Sequence, residues 1–287
     1  MDYIEFNGLA YNAVWSLGCP FSCTYCSNSG FEQINKHYLK LRYSKPESII
    51  KEIEYVKSKY TWINRINFHD DNLIALPIDV LKYFCELYKK RINMPFSVYG
   101  IHPNTISKDK IKLLASNGMI RVRMGIQSGN ERILDFYNRN TTQAKINSAV
   151  EILADATKKY KMIPPTYDII TDNPLEKKED MIINLRFLNK MKRPFTFNIF
   201  SLRPLVGTRI YDYFVKNDIK CSSLSYAIID PTLNNILIHL IPVVKIPNLF
   251  FEHFLKKVED YGYQKKDILY YCILHVFLIY LVEALAI

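Results

Sequence analysis

The sequence predicts an α/β fold in which parallel strands are joined by helical crossovers, and three observations carry that reading. Short runs rich in β-branched and aromatic residues alternate with longer runs of helical periodicity. Within the strand runs polar and apolar residues alternate, so one face of the sheet is wet and the other dry. The chain has 287 residues, 49% of them apolar and 23% charged. That is enough to bury a large core, at a length that a single α/β barrel commonly reaches.

Six strand runs are predicted: YNAVWS (11–16), INRINF (63–68), FSVYG (96–100), IRVRMGI (120–126), TYDIIT (166–171) and FTFNIFS (195–201). Between the first two of these runs, KPESIIKEIEYVKSKY places Pro46 in a first helical turn and Ile49, Ile50, Ile53 and Val56 on one face. Further helices are expected near 78–90, 107–117, 141–160 and 178–191, with Ser107 and Thr142 as N-caps and Gly118 as a helix stop.

Residues two apart in a strand share a face. In the fourth run Arg121, Arg123, Gly125 and Gln127 oppose Val122, Met124 and Ile126, while Asp168 in the fifth and Asn198 in the sixth fall on polar faces. If the apolar faces meet the helices, the polar ones converge inside a curved sheet, unlike the aliphatic filling of a closed barrel. Two readings follow: a ligand cavity, or an Arg123–Asp168 ion pair that only satisfies itself.

Three of the six cysteines stand in CPFSCTYC, as Cys19, Cys23 and Cys26. Three thiolates can hold three irons of a 4Fe-4S cluster and leave the fourth open to a ligand. Zinc is the competing metal, although a structural zinc site wants four ligands and no second cysteine pair is present. Cys85, Cys221 and Cys272 stand singly in apolar surroundings and read as core residues.

A CxxxCxxC motif directly after a first strand, with the aromatic Tyr25 before its last cysteine, resembles the signature of the radical S-adenosylmethionine (SAM) superfamily. The resemblance implies a partial (β/α)6 TIM-like barrel, a 4Fe-4S cluster on Cys19, Cys23 and Cys26, and SAM chelated to the open iron. Reductive cleavage of SAM would then yield a 5'-deoxyadenosyl radical. FHDDN, Phe68 to Asn72, is similar to the family's FxDDxF motif and assigns Asp70 or Asp71 to the methionine ammonium. GIQSGNERIL, Gly125 to Leu134, resembles the GxESGSERVL block of the cobalamin-type members and assigns Gln127 and Ser128 to the cofactor, with Gln127 where Glu is usual. YDIITDNPLEKKED resembles DLIxxNPxET, and FSLRPLVGTRIYD resembles PGTxLY with Val206 in place of proline.

Cobalamin-type members carry a further domain ahead of the barrel, whereas eighteen residues precede Cys19 here and no DxHxxG signature occurs. Cobalamin is therefore a possible cofactor with no binding domain expected in this chain: the chain works without it, takes that domain from a separate cobalamin-binding subunit, or is a fragment. An electron donor such as flavodoxin or ferredoxin is implied as partner. Arg123 or Arg203 is a candidate for pairing with an anionic substrate.

Residues 1–205 are expected to form the barrel and 206–287 a helical, apolar extension packed on it. In the extension, Ile268 to Val282 lacks any charged residue. Those fifteen positions reach roughly 22 Å as a helix, short of a bilayer core of about 30 Å. The segment is read as closing the barrel, packing on a partner, or resting shallowly on a membrane, and it suits a small-molecule or lipid-like substrate.

The net charge of +10 suits an anionic partner, but the lysines are spread in pairs along helical runs, so nucleic acid is not expected. The N-terminus has no signal-peptide pattern, which predicts the cytoplasm. The function read from the sequence is SAM cleavage for methyl transfer to, or rearrangement of, an unidentified substrate. The alternatives are a split or degenerate radical SAM subunit and a non-catalytic zinc- or nucleic-acid-binding module.

Overall fold

The computed structural model describes residues 9–221 and 229–261. Its centre is a six-stranded parallel sheet, built from β1 (Leu9–Ala13), β4 (Ile63–Phe68), β5 (Phe96–Ile101), β6 (Met119–Gln127), β7 (Thr166–Thr171) and β8 (Thr196–Ser201) in that spatial order. The sheet curls into a half-barrel with helices on its outside. A two-stranded antiparallel ribbon, β2 (Ser16–Leu17) with β3 (Arg42–Tyr43), stands apart from it.

The crossover helices are α2 (Pro46–Lys59), α3 (Ile78–Arg91), α4 (Lys108–Ser116), α6 (Gln143–Tyr160) and α7 (Lys178–Lys190), close to the expected spans. Ser107 and Thr142 cap as expected: their side chains accept from the backbone N–H groups of Lys110 and Lys145. Gly118 follows α4 at φ +110°, so the helix ends at a residue that tolerates this backbone.

The strand faces separate as the alternation requires. Ile66, Phe68, Val98, Val122, Met124, Tyr167 and Ile169 are buried in one continuous core with the helices. The opposite face carries Asn67, Arg123, Asp168 and Asn198 along the inside of the curl, cross-linked by Arg123 to Asp168 and by Asn198 to Asp168. Cys85 belongs to the core and Cys221 is half-buried; Cys272 lies outside the described residues.

The first strand is displaced from the expected span. Residues 9–13 pair with β4, but Trp15 turns away to stack on Phe84 at 4.7 Å and to donate its indole N–H to the Ser44 carbonyl. Ser16 then gives its backbone N–H to the Asp70 carboxylate instead of the sheet. A side-chain acceptor thus outcompetes the ladder and releases the chain toward the cysteine loop.

Two short helices were not anticipated, α1 (Ser27–Ile34) and α5 (Glu131–Phe136). Beyond the barrel come α8 (Arg209–Lys216), α9 (Leu233–Leu240) and α10 (Asn248–Tyr261). α9 packs on α7 and β8, and α10 on α7 and α9, with Leu237, Ile238, Phe251, Phe254 and Val258 joining the main core. The apolar stretch 268–282 lies outside the described residues. Among the described residues no helix is long and apolar enough to cross a membrane.

Candidate active site

The loop from β2 to α1 carries the three clustered cysteines at the C-terminal ends of the barrel strands. Gly18 opens it at φ +92°, where an added Cβ would lie 2.5 Å from the Lys40 carbonyl oxygen. Its N–H donates to Asp71 Oδ2 at 2.8 Å. Cys26 ends the loop as the N-cap of α1, with its N–H on the Cys23 carbonyl at 3.1 Å. The positive end of the helix therefore lies beside a thiol that must become a thiolate to bind metal.

Distant segments clamp this loop. Thr24 N–H donates to the Tyr137 carbonyl at 2.9 Å, Asn138 Nδ2 to the Ser22 carbonyl at 3.0 Å, and Ile210 N–H to the Thr24 carbonyl at 3.0 Å. The cysteines are thus held by the ends of α5 and α8 as well as by their own turn.

Cys19, Cys23 and Cys26 line one hollow of about 170 Å³, together with Asp71, Asn72 and Arg139. Burial pushes the Cys19 thiol up to about 11 and raises that of Cys26. Burial thus favours the protonated form of Cys19 and Cys26, and a metal bound there would have to displace those protons.

The two adjacent aspartates take different positions. Asp70 is 3% exposed and its Oδ1 accepts from both the N–H and the hydroxyl of Ser16. Asp71 faces the hollow, where it accepts from Gly18 N–H and, at 3.0 Å, from Asn28 Nδ2. Asp70 braces the loop; Asp71 is the carboxylate a ligand would meet.

Gln127 also reaches the hollow, at the end of β6 and at φ +73°. Non-glycine residues seldom occupy this left-handed region, and such strain concentrates at functional sites. Ser128, in contrast, is fully buried outside the hollow and accepts from Asn130 N–H at 3.1 Å, a turn-forming role. Tyr25 forms part of the wall, edge-on to Tyr137 at 5.1 Å.

Arg139 has no counterpart in the sequence reading. Its Nη1 donates to Tyr25 Oη at 2.7 Å and lies 3.4 Å from Cys23 Sγ, while Nη2 donates to the Gly125 carbonyl. An added Cβ at Gly125 would come within 2.4 Å of Gln127 Nε2 and 2.9 Å of Arg139 Nη2, so both side chains need the missing side chain there. His102 stacks on Phe21 at 3.7 Å. Its Nδ1 accepts from Asn104 N–H, so Nε2 carries the proton given to the Arg139 carbonyl. Burial and the nearby Arg139 charge push this imidazole down to about 3, and it stays neutral.

Among the described residues no three His, Cys, Asp or Glu side chains converge on a single point as the ligands of a lone ion do. The thiols instead line the wall of a hollow, which suits several irons each taking one thiolate. Asn72 Nδ2 is buried there without a hydrogen-bond partner, a donor left over for a ligand. Fold, thiols and surplus donor agree with one another.

The family model of the Radical SAM superfamily matches residues 14–187. The chain belongs to that superfamily. Members of that superfamily use a 4Fe-4S cluster and SAM. An uncharacterized methyltransferase of Pyrococcus horikoshii is 25% identical over 237 residues, which cover 81% of this chain and 49% of that relative. The radical SAM methyltransferase TsrM of Kitasatospora setae, solved with cobalamin and a 4Fe-4S cluster, superposes with a TM-score of 0.58 at 15% identity, over 76% of this chain and 39% of TsrM. Coproporphyrinogen III oxidase of Escherichia coli gives 0.53 at 13%, over 88% and 53%. At such identities the likeness is one of fold. This chain spans about half the length of the curated relative.

The hollow does not end at these residues. Tyr25, Gln127 and Asp168 also line a neighbouring cavity of about 260 Å³, completed by Ile170, Phe200, Ser201, Leu202, Arg203 and Leu205. The ion pair and the cavity expected as alternatives coexist: Arg123 Nε reaches Asp168 at 2.7 Å, and Asp168 still faces both spaces. Val206, 82% exposed, occupies a turn closed by Thr208 N–H on the Leu205 carbonyl, with Gly207 at φ +84°. This second position of the turn favours proline but does not require it.

Proposed function

We propose that Cys19, Cys23 and Cys26 bind the 4Fe-4S cluster and that Asp71, Asn72, Gln127 and Tyr25 hold SAM beside it. The reaction is radical methyl transfer to, or rearrangement of, a small organic substrate. The observation that carries this reading is the wall of Tyr25, Gln127 and Asp168 shared by the thiol hollow and the second cavity. Asp70 and Ser128 are reassigned to supporting the loops.

When bound, the cluster and SAM supply one-electron chemistry able to take a hydrogen atom from an unactivated carbon. The chain's own residues prepare the place for it. Asp71 presents a carboxylate to a cationic ammonium, and Asn72 and Gln127 present amides to hydroxyl or carboxylate groups. Arg139 sets a fixed positive charge against Cys23, offsetting the negative charge that gathers where thiolates meet sulfide. The aromatic rings of Tyr25, Phe21 and His102 exclude water from the wall.

Cobalamin is compatible with this reading, and the electron donor is a flavodoxin- or ferredoxin-like protein.

Anaerobic reconstitution with iron and sulfide, followed by dithionite and SAM, tests the proposal. Charge-transfer absorbance and 5'-deoxyadenosine are expected, and both vanish in Cys23→Ala. Zinc retained in place of iron, or a Cys23→Ala protein that keeps both signals, refutes it. A cluster without 5'-deoxyadenosine until a cobalamin-binding protein is added favours the split enzyme.

A further inference from the structure

The cavity beyond the shared wall differs in chemistry from the thiol hollow. Ile170, Phe200, Leu202 and Leu205 give it a mainly apolar lining interrupted by Ser201, and its charged members are Asp168 and Arg203. Asp168 is already engaged, accepting from Arg123 Nε at 2.7 and 3.0 Å and from Asn198 Nδ2 at 3.1 Å. Arg123, answered by that carboxylate, lies over the Phe200 ring at 5.5 Å.

Arg203 stands differently. It stands two residues past β8, at the strand end where barrel folds place their ligands, and it is half-buried. Among the described residues its guanidinium has no carboxylate partner; the titratable group it acts on is the Cys221 thiol, whose pKa it draws down against burial. A guanidinium cannot shed its proton, and its planar fork matches a carboxylate. A ligand that fills the apolar space either leaves this charge to water at the rim or answers it with an anion.

We propose that this cavity is the substrate site and that the substrate is an amphipathic monocarboxylic acid. Its carboxylate pairs with Arg203, and its apolar body lies along Ile170, Phe200, Leu202 and Leu205. One cation calls for one negative charge, and the Asp168 carboxylate at the inner end disfavours a dianion. The end remote from Arg203 then faces Tyr25 and Gln127, the wall behind which the thiols lie. The identification as a substrate site rests on the cofactor reading of the thiol hollow; the preference for an acid rests on this cavity alone.

Calorimetry with matched probes tests it on the full chain: 4-phenylbutanoate against 4-phenylbutan-1-ol, and octanoate against octan-1-ol. The acid of at least one pair is expected to bind about tenfold or more tightly than its alcohol, the range of one charge-assisted hydrogen bond. Arg203→Gln should abolish the preference and Arg203→Lys should retain part of it. Equal affinities within both pairs, no binding by any probe, or a preference that survives in Arg203→Gln overturns the proposal. Cys23→Ala, altered outside this cavity, should keep the preference. A protein that prefers the acid but takes up no cluster refutes the cofactor reading and leaves the acid site standing.

Discussion

The Arg139 guanidinium lies 3.4 Å from the Cys23 sulfur, buried, and joins a cysteine loop near the N-terminus to a residue 116 positions away. A charge placed so deep needs every partner it has. Tyr25 Oη and the Gly125 carbonyl supply the others.

Arg139→Lys is expected to fail structurally although it keeps the charge. A lysine ammonium cannot span the sulfur, the phenol and the carbonyl at once, and a poorly paired buried cation costs about 3–5 kcal/mol. Urea denaturation should show that loss, and iron bound per chain after reconstitution should drop with it. An unchanged unfolding midpoint would rule out the proposed brace.

Asp70 and Asp71 should separate when each is replaced by alanine. Asp70→Ala leaves the Ser16 N–H and hydroxyl without their acceptor, at about 1–3 kcal/mol for each buried group. Asp71→Ala opens onto the hollow and should cost less stability while weakening SAM binding by tenfold or more. Thermal unfolding and calorimetric SAM titration, run on both variants, discriminate the roles; the reverse pattern would exchange them.

Gly125→Ala tests the close approach at the end of β6. The methyl group would meet Gln127 Nε2 and Arg139 Nη2, and the crowding should cost about 1–3 kcal/mol. Reduced iron content is expected to accompany it, since Arg139 must shift. Wild-type stability together with full cluster loading would contradict the geometry.

A pH dependence is expected at Asp180, remote from the cysteines. Burial raises its pKa, but hydrogen bonds from Arg132, the Lys177 N–H and Asn130 outweigh burial and hold the carboxyl below its ordinary value. A depressed folded-state pKa stabilises the protein above the unfolded pKa of about 3.9, and that contribution is lost as pH falls through the folded value. Asp180→Asn should therefore be less stable than wild type at pH 7, with the gap closing toward acid below about pH 4. A gap that is constant from pH 7 to pH 3 would remove the carboxylate's charge from the explanation.

Much of the architecture is legible in the residues because it is local. The 3.6-residue spacing of Ile49, Ile50, Ile53 and Val56 makes one apolar stripe, and the polar–apolar alternation of Arg121 to Gln127 makes two sheet faces. Ser107 and Thr142 cap their helices through bonds that span three residues. The displaced first strand fails this test for a physical reason: its competitor for the Ser16 N–H is Asp70, 54 residues on.

The thiol motif pointed to the superfamily and to the proposed cluster ligands, since three cysteines and an aromatic lie within eight positions and need no tertiary contact to be read. Only the folded chain separates Asp70, buried against Ser16, from Asp71, which faces the hollow, although the two are adjacent and chemically identical. It also placed Ser128 in a turn, brought Arg139 and His102 to the thiols, and set the thiol hollow beside the cavity that Arg203 lines. Periodicity and capping are set by neighbours along the chain, whereas a partner for a buried charge is set by whichever distant segment packs against it.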